Sequence, residues 1–128
     1  MAQVIWQKRA EKELYKLLVN GFLEFGETTA NRFTEQVRLL NGELQKFPEI
    51  GYPEPLLRER NKLYRSVHIQ KRFKLIYYFS PSTDTVHVAD IWDTKRSPEI
   101  LQKRNRINRQ SFIEKIIYIQ YLVLNKMG

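Results

Sequence analysis

Six cations, Arg65, Lys71, Arg72, Lys74, Lys95 and Arg96, are the side chains in this sequence whose type and spacing could do chemistry. Together they could hold phosphates, or stabilise the charge that builds on phosphorus when an RNA 2'-hydroxyl attacks its own backbone. Cleavage of that kind needs no metal, but it gains from a proton acceptor and donor. Arginine is a poor shuttle because it stays protonated to above about pH 12. Tyr64, Tyr77 and Tyr78 are the nearby groups that could donate a proton or stack on a base, although tyrosines flanking strands are more commonly core or edge residues. Other chemistries lack their residues. His68 and His87 are the only histidines and cysteine is absent, which removes disulfides, thiolate metal sites and thiol nucleophiles. No glycine-rich phosphate loop, His-Glu-x-x-His pair or Gly-x-Ser-x-Gly elbow occurs. Asp90 and Asp93 read as ion-pair partners for Lys95 and Arg96 rather than as metal ligands. No cofactor is expected.

The positive charge is concentrated. The chain carries 22 basic and 14 acidic side chains, a net +8. Residues 1–55 are close to neutral, whereas residues 56–74 hold seven basic groups and one acid, and residues 95–109 hold six basic groups and one acid. If the fold joins these two blocks they make one field for a polyanion: RNA, DNA or an acidic protein surface. With 128 residues the chain is one domain's worth. Its opening residues lack the pattern of an export signal, so a cytoplasmic location is expected. No stretch is long and apolar enough to span a bilayer, and no membrane partner is expected.

The elements that must position these residues follow from periodicity. Val4, Ile5 and Trp6 suit a short strand. Leu14, Leu17, Leu18, Phe22 and Phe25 recur at helical spacing, and Gly26 is placed to end that helix. Thr28 and Thr29 can open a second helix with the apolar line Ala30, Phe33, Val37, Leu40, Leu44 and Phe47, closed by Pro48, Gly51, Pro53 and Pro55. The short link predicts an antiparallel helical hairpin. Then the period becomes two. Residues 64–69 and 73–79 read as paired strands joined by the basic turn 70–72, and residues 86–92 as a third strand. A two-residue turn between them would place Arg65, Val67, Lys74 and Ile76 on one face, with Arg96 beside them, and turn His68 toward the core edge. Ser97-Pro98-Glu99 is a good helix start. Phe112–Leu124 reads as an apolar helix packed on the body or on a partner. The order β-α-α-β-β-β-α predicts an α+β fold, a small antiparallel sheet covered on one face by the helical hairpin.

These pieces resemble the RelE/ParE superfamily of toxins from type II toxin-antitoxin modules, often labelled plasmid stabilisation proteins. The resemblance runs from Ile5 to about Leu101. It is carried by Trp6-Gln7-Lys8-Arg9-Ala10-Glu11-Lys12-Glu13-Leu14, Phe25-Gly26 with Ala30-Asn31-Arg32-Phe33, and Leu44-Gln45-Lys46-Phe47-Pro48-Glu49-Ile50-Gly51. Tyr64-Arg65 leading to Phe73-Lys74-Leu75-Ile76-Tyr77-Tyr78, and Ile91-Trp92-Asp93-Thr94-Lys95-Arg96-Ser97-Pro98, complete it. The order and spacing of the pieces are specific, although no single piece is.

The resemblance implies a toxin domain, read here over residues 1–108; residues 109–128, read as a C-terminal apolar extension, lie beyond the common pattern. It implies a cognate antitoxin partner, operator DNA bound only through that antitoxin, and one of two activities. ParE-like members inhibit DNA gyrase by binding. RelE-like members are metal-independent endoribonucleases that cut mRNA on the ribosome, and their basic catalytic positions fall at Arg65, Lys74 and Arg96. This chain departs from the RelE-like pattern: Val67 stands at a further basic position, Ile100 or Leu101 where a tyrosine would follow, and the His-Tyr ending is missing. The turn 47–51 and the segment 95–98 look more ParE-like. The leading expectation is therefore a gyrase-directed binding toxin whose target surface is Arg65, Lys71, Arg72, Lys74, Lys95 and Arg96. The alternative is a ribosome-dependent ribonuclease. A homodimer is compatible with either.

Overall fold

The computed structural model describes residues 1–95. In chain order it comprises β1 (Gln3–Trp6), α1 (Lys8–Phe25), α2 (Glu27–Lys46), β2 (Tyr52–Pro53), β3 (Arg65–Ile69), β4 (Phe73–Ser80) and β5 (Thr85–Asp93). The helix expected from Ser97, the apolar stretch Phe112–Leu124 and Arg96 all lie outside the described residues.

Helix α1 turns Ala10, Leu14, Leu18 and Val19 inward, and α2 turns Ala30, Phe33, Val37 and Leu44 inward. Between the helices stands one residue, Gly26, with φ 92° and ψ 178°. Side chains with a Cβ rarely tolerate that conformation, so glycine is what lets the chain reverse within a single residue. Gly26 rather than Thr28 or Thr29 precedes the first turn of α2, and no side chain caps it. Phe25 and Phe47, expected on the apolar stripes, are instead exposed by 69% and 57%, because each lies at a helix end beyond the packed surface. Leu40 is half-buried against the core.

The five strands are ordered β1-β5-β4-β3-β2. The sheet is antiparallel except at one edge, where β1 runs parallel to β5. That edge corrects the all-antiparallel expectation: the helical hairpin carries the chain from β1 to β2 at the far edge, and the successive reversals β2-β3-β4-β5 bring β5 back beside β1 in the same direction. The second correction is β2, two residues within the proline-rich segment that reads as a turn. Its Tyr52 and Pro53 pair with Ser66 and Arg65. The helices cover the face formed by Ile69, Leu75, Tyr77, Val86, Val88 and Ile91.

Register decides what the other face holds. Ile69 pairs with Phe73, His68 with Lys74, Val67 with Leu75 and Arg65 with Tyr77. Three residues therefore separate β3 from β4, and Gln70 takes the left-handed conformation at φ 57°. Relative to a two-residue turn every β4 side chain changes faces. Arg65 and Lys74 do not share a face, and His68 is exposed rather than at the core edge. In β5 one extra residue, Ala89, is inserted opposite the Ile76–Tyr77 step, so that both Val88 and Ile91 reach the core.

Candidate functional site

The helix-free face carries Lys74, Ile76 and Tyr78 from β4, His68 from β3, and His87, Asp90 and Trp92 from β5, as cross-strand pairing requires. Residues 54–64 return over this face. Glu54, only 1% exposed, accepts a hydrogen bond from Lys74 Nζ at 2.6 Å and from the Leu56 amide at 3.2 Å. Burial alone would raise the Glu54 carboxyl, but hydrogen bonds from Lys74, the Leu56 amide and Ser66 outweigh it and hold the group below its usual range. Lys74 Nζ also lies 5.7 Å from the centre of the Trp92 ring. Trp92 Nε1 in turn donates to Asp90 Oδ2 at 3.1 Å, and the Ile91 amide donates to Asp90 Oδ1.

Next to this ion pair lies an aromatic group. Tyr78 stacks on His87 with ring centres 4.7 Å apart, meets the ring of Tyr64 edge-on at 5.5 Å, and has Lys62 Nζ 4.8 Å from its centre. A cleft of about 370 Å³ opens beside Tyr64, with Arg9 and Arg60 at its rim and Ile76, Asp90 and Trp92 on its floor. Of the three tyrosines singled out by sequence, Tyr64 and Tyr78 are on this face. Tyr77 is not, being fully buried on the other side.

Arg65 points to the helix-covered side and is used internally. Its Nη1 donates to the Gly51 carbonyl at 2.8 Å, and its Nη2 lies 3.5 Å from Glu49 Oε2. The Gly51 amide donates to Tyr77 Oη at 2.8 Å. Burial pushes the Tyr77 hydroxyl up, against the opposing pull of the Gly51 amide and the Arg65 charge. A Cβ on Gly51 would fall 2.8 Å from the Ser66 carbonyl and 2.9 Å from two Tyr77 atoms, so the close approach demands glycine.

The remaining cations meet at one end of the sheet. The Thr94 amide and hydroxyl both donate to the Arg72 carbonyl, at 2.8 and 2.6 Å. This seats the β3–β4 turn, with Lys71 and Arg72, against the end of β5, where Lys95 follows. Here the first basic block meets Lys95, the first residue of the second. Arg72 forms a two-pronged ion pair with Asp93, at 3.0 and 2.7 Å, while Lys71 and Lys95 are exposed. Beside this basic end a cleft of about 430 Å³ runs between the turn and the hairpin tip, lined by Leu17, Phe25, Phe33, Phe73 and Arg72. Among the described residues no three His, Asp or Glu side chains gather as they would around a metal ion, and no helix is long and apolar enough to cross a membrane.

The expected cations thus divide three ways: Lys74 on the helix-free face, Arg65 on the covered side, and Lys71, Arg72 and Lys95 at the sheet's end. Sequence reading missed Glu54, the joining of Tyr64 and Tyr78 to His87 and Lys62, and the rim pair Arg9 and Arg60. The available signal for Glu54 was a lone acid between two prolines, just ahead of a strongly basic stretch.

A mixed sheet with one face under an N-terminal helical hairpin is the architecture of the RelE/ParE toxins. The chain is similar to the chromosomal ParDE toxin-antitoxin system of P. aeruginosa, with 15% identity over 73% of this chain and 96% of that one and a TM-score of 0.58. It is similar to a metal-bound toxin from Helicobacter pylori, at 18% identity over 74% and 97%, TM-score 0.55. The intact E. coli RelBE toxin-antitoxin complex contains a chain matched at 18% identity over 75% of this chain and all of that one, TM-score 0.51. No individual curated protein matches the sequence. The family model for the ParE toxin of the type II toxin-antitoxin system, parDE, matches residues 4–98, and the chain belongs to that family.

Proposed function

We propose that this toxin acts by binding and inhibiting an essential target in the cytoplasm, DNA gyrase being the favoured one, and that a cognate antitoxin neutralises it. The observation that carries this reading is the separation of Arg65 from Lys74 onto opposite faces, each tied to an internal partner. A phosphate-cleaving centre needs its cations free and converging on the reacting group, whereas a protein interface needs a cation rim beside apolar surface. Lys71, Arg72 and Lys95 supply the rim, and the adjoining cleft with Phe25 supplies the apolar surface. In this reading Lys71, Lys95 and Arg96 meet the target, while Arg65, Arg72 and Lys74 hold the surface in shape. The antitoxin partner is favoured by the family and by solved relatives that are themselves toxin-antitoxin assemblies. Residues 109–128 are assigned to an extension outside the toxin domain.

The test is to add the purified protein to gyrase and relaxed plasmid with ATP. Inhibition of supercoiling, weakened by Lys71→Glu or Lys95→Glu, is expected. Unimpaired supercoiling at toxin in large excess would remove gyrase as the target. The second reading, ribosome-dependent mRNA cleavage, is favoured by one observation: Tyr64, Tyr78 and His87 place groups able to move protons on the helix-free face. Primer extension on programmed ribosomes reads it directly, and discrete cuts lost in His87→Ala or Tyr78→Phe would promote it over gyrase inhibition.

A further inference from the structure

Lys74 is the one cation among Arg65, Lys71, Arg72, Lys74 and Lys95 that lies on the helix-free face, and its surroundings are those of a phosphate site. His68 stands directly across the strand pair and is exposed, and Trp92 lies directly across on the other side, its ring under the ammonium. An ammonium and an exposed imidazole in one cross-strand row, backed by an indole that is itself buried, are suited to a phosphate. One feature opposes this. Glu54 reaches the ammonium from β2's end with a carboxylate oxygen at 2.6 Å, and that carboxylate is almost fully buried while Lys74 retains 20% exposure of its side chain. A phosphate from solution would have to displace a partner that is covalently fixed in place and further anchored by the Leu56 amide and Ser66. An internal partner of this kind competes at a far higher effective concentration than a free ligand.

We propose that Glu54 is the specificity-determining residue of the helix-free face: by holding Lys74 in an internal ion pair it closes a phosphate site that Lys74, His68 and Trp92 would otherwise form. The face is thereby denied to single-stranded nucleic acid. The inference rests on the binding-type reading in one respect, since a toxin aimed at a protein surface gains by not adhering to cellular RNA. The pair is poorly explained as a source of stability alone, because buried ion pairs contribute little net stabilisation beyond what apolar packing would supply.

The experiment uses the full chain made by cell-free synthesis and a fluorescein-labelled oligouridylate, with affinity followed by anisotropy as salt is varied. Glu54→Gln keeps the shape and most hydrogen bonds while removing the competing charge. One new phosphate contact on a single strand steepens the salt slope by about 0.7, equivalent to roughly eight-fold tighter binding at about 50 mM salt relative to 1 M. That gain is expected in Glu54→Gln, lost in Glu54→Gln/Lys74→Gln and kept in Glu54→Gln/Lys74→Arg. An unchanged slope in folded Glu54→Gln, or a gain that survives without Lys74, overturns the proposal. Should Glu54→Gln fail to fold, Lys74→Gln alone decides. A slope equal to that of the unmodified protein supports a withheld Lys74, and a shallower slope overturns it. Loss of the gyrase reading in the supercoiling assay would leave these results standing, so the two failures are distinguishable.

Discussion

Arg65 and Lys74 sit on neighbouring paired strands, yet each is neutralised in a different way. Arg65 is held by carbonyl oxygens and a largely exposed carboxylate, on the side where Tyr77 and Gly51 lock the turn after α2 onto the sheet. Lys74 is held by a buried carboxylate on the side without helices. The first arrangement fastens one segment of backbone to another, and its loss should loosen geometry. The second sets the charge of a surface, and its loss should expose an uncompensated ion. Two cations that sequence places in one site thus do separate work because one residue of register separates the faces.

Substitutions along β4 sharpen this contrast. Leu75→Ala, at a fully buried position between the sheet and the helices, should cost about 2–5 kcal/mol in denaturant unfolding, depending on how far the cavity collapses. Its neighbour tests the other face. Lys74→Ala leaves the Glu54 carboxylate buried without its ammonium and should cost about 3 kcal/mol, near the low end for a broken buried pair because Lys74 is partly hydrated. A loss below about 1 kcal/mol would show that Glu54 finds another partner and that the two faces do not differ as described. Tyr77→Phe removes the acceptor of the Gly51 amide and should cost about 1–2 kcal/mol, with the fold retained. Arg72→Ala breaks an ion pair whose cation is half exposed, so its effect on stability should be under about 1 kcal/mol.

Acid sharpens the same comparison. The folded state holds the Glu54 carboxyl below its ordinary value of 4.5. Its stabilising contribution is therefore complete above that value and is lost as the pH falls through the lower folded-state value. Stability measured downward from pH 6 should begin to decline near pH 4.5 from this group, and Glu54→Gln should flatten that part of the curve. Equal slopes in both proteins would remove Glu54 as a contributor.

Helix phases and strand identities were legible because each element buries one face over several repeats: Leu14 with Leu18, Ala30 with Phe33 and Val37, and Leu75 with Tyr77. Register was not. The β3–β4 loop depends on Gln70 adopting a positive φ, a conformation ordinarily announced by Gly, Asn or Asp. With Gln there, a shorter turn is the natural reading, and it carried Lys74 to the wrong face. The parallel pairing of β1 with β5 depends on residues more than eighty positions apart, and no local pattern encodes it. Strand β2 is too short for a period. The meeting of Lys71 and Arg72 with the end of β5 was foreseen only as a condition on the charge blocks. The bonds from Thr94 that bring it about depend on tertiary placement.

The two-residue strand β2 has one further effect, on how copies of this protein meet. Glu54 N–H donates to the Tyr64 carbonyl, and the alternation of an antiparallel ladder then turns the nitrogen of Pro53 outward. That nitrogen carries no hydrogen. A second sheet approaching this border finds no donor where a ladder would have to continue. At the opposite border, α2 flanks β1, accepting the Ala2 amide at Gln45 and the Trp6 indole at Asn41. Among the described residues, growth of the sheet from molecule to molecule is thus opposed at Pro53 on one border and along β1 on the other. At these two places it is the backbone itself, and not a charged side chain, that discourages a second copy from adding a strand.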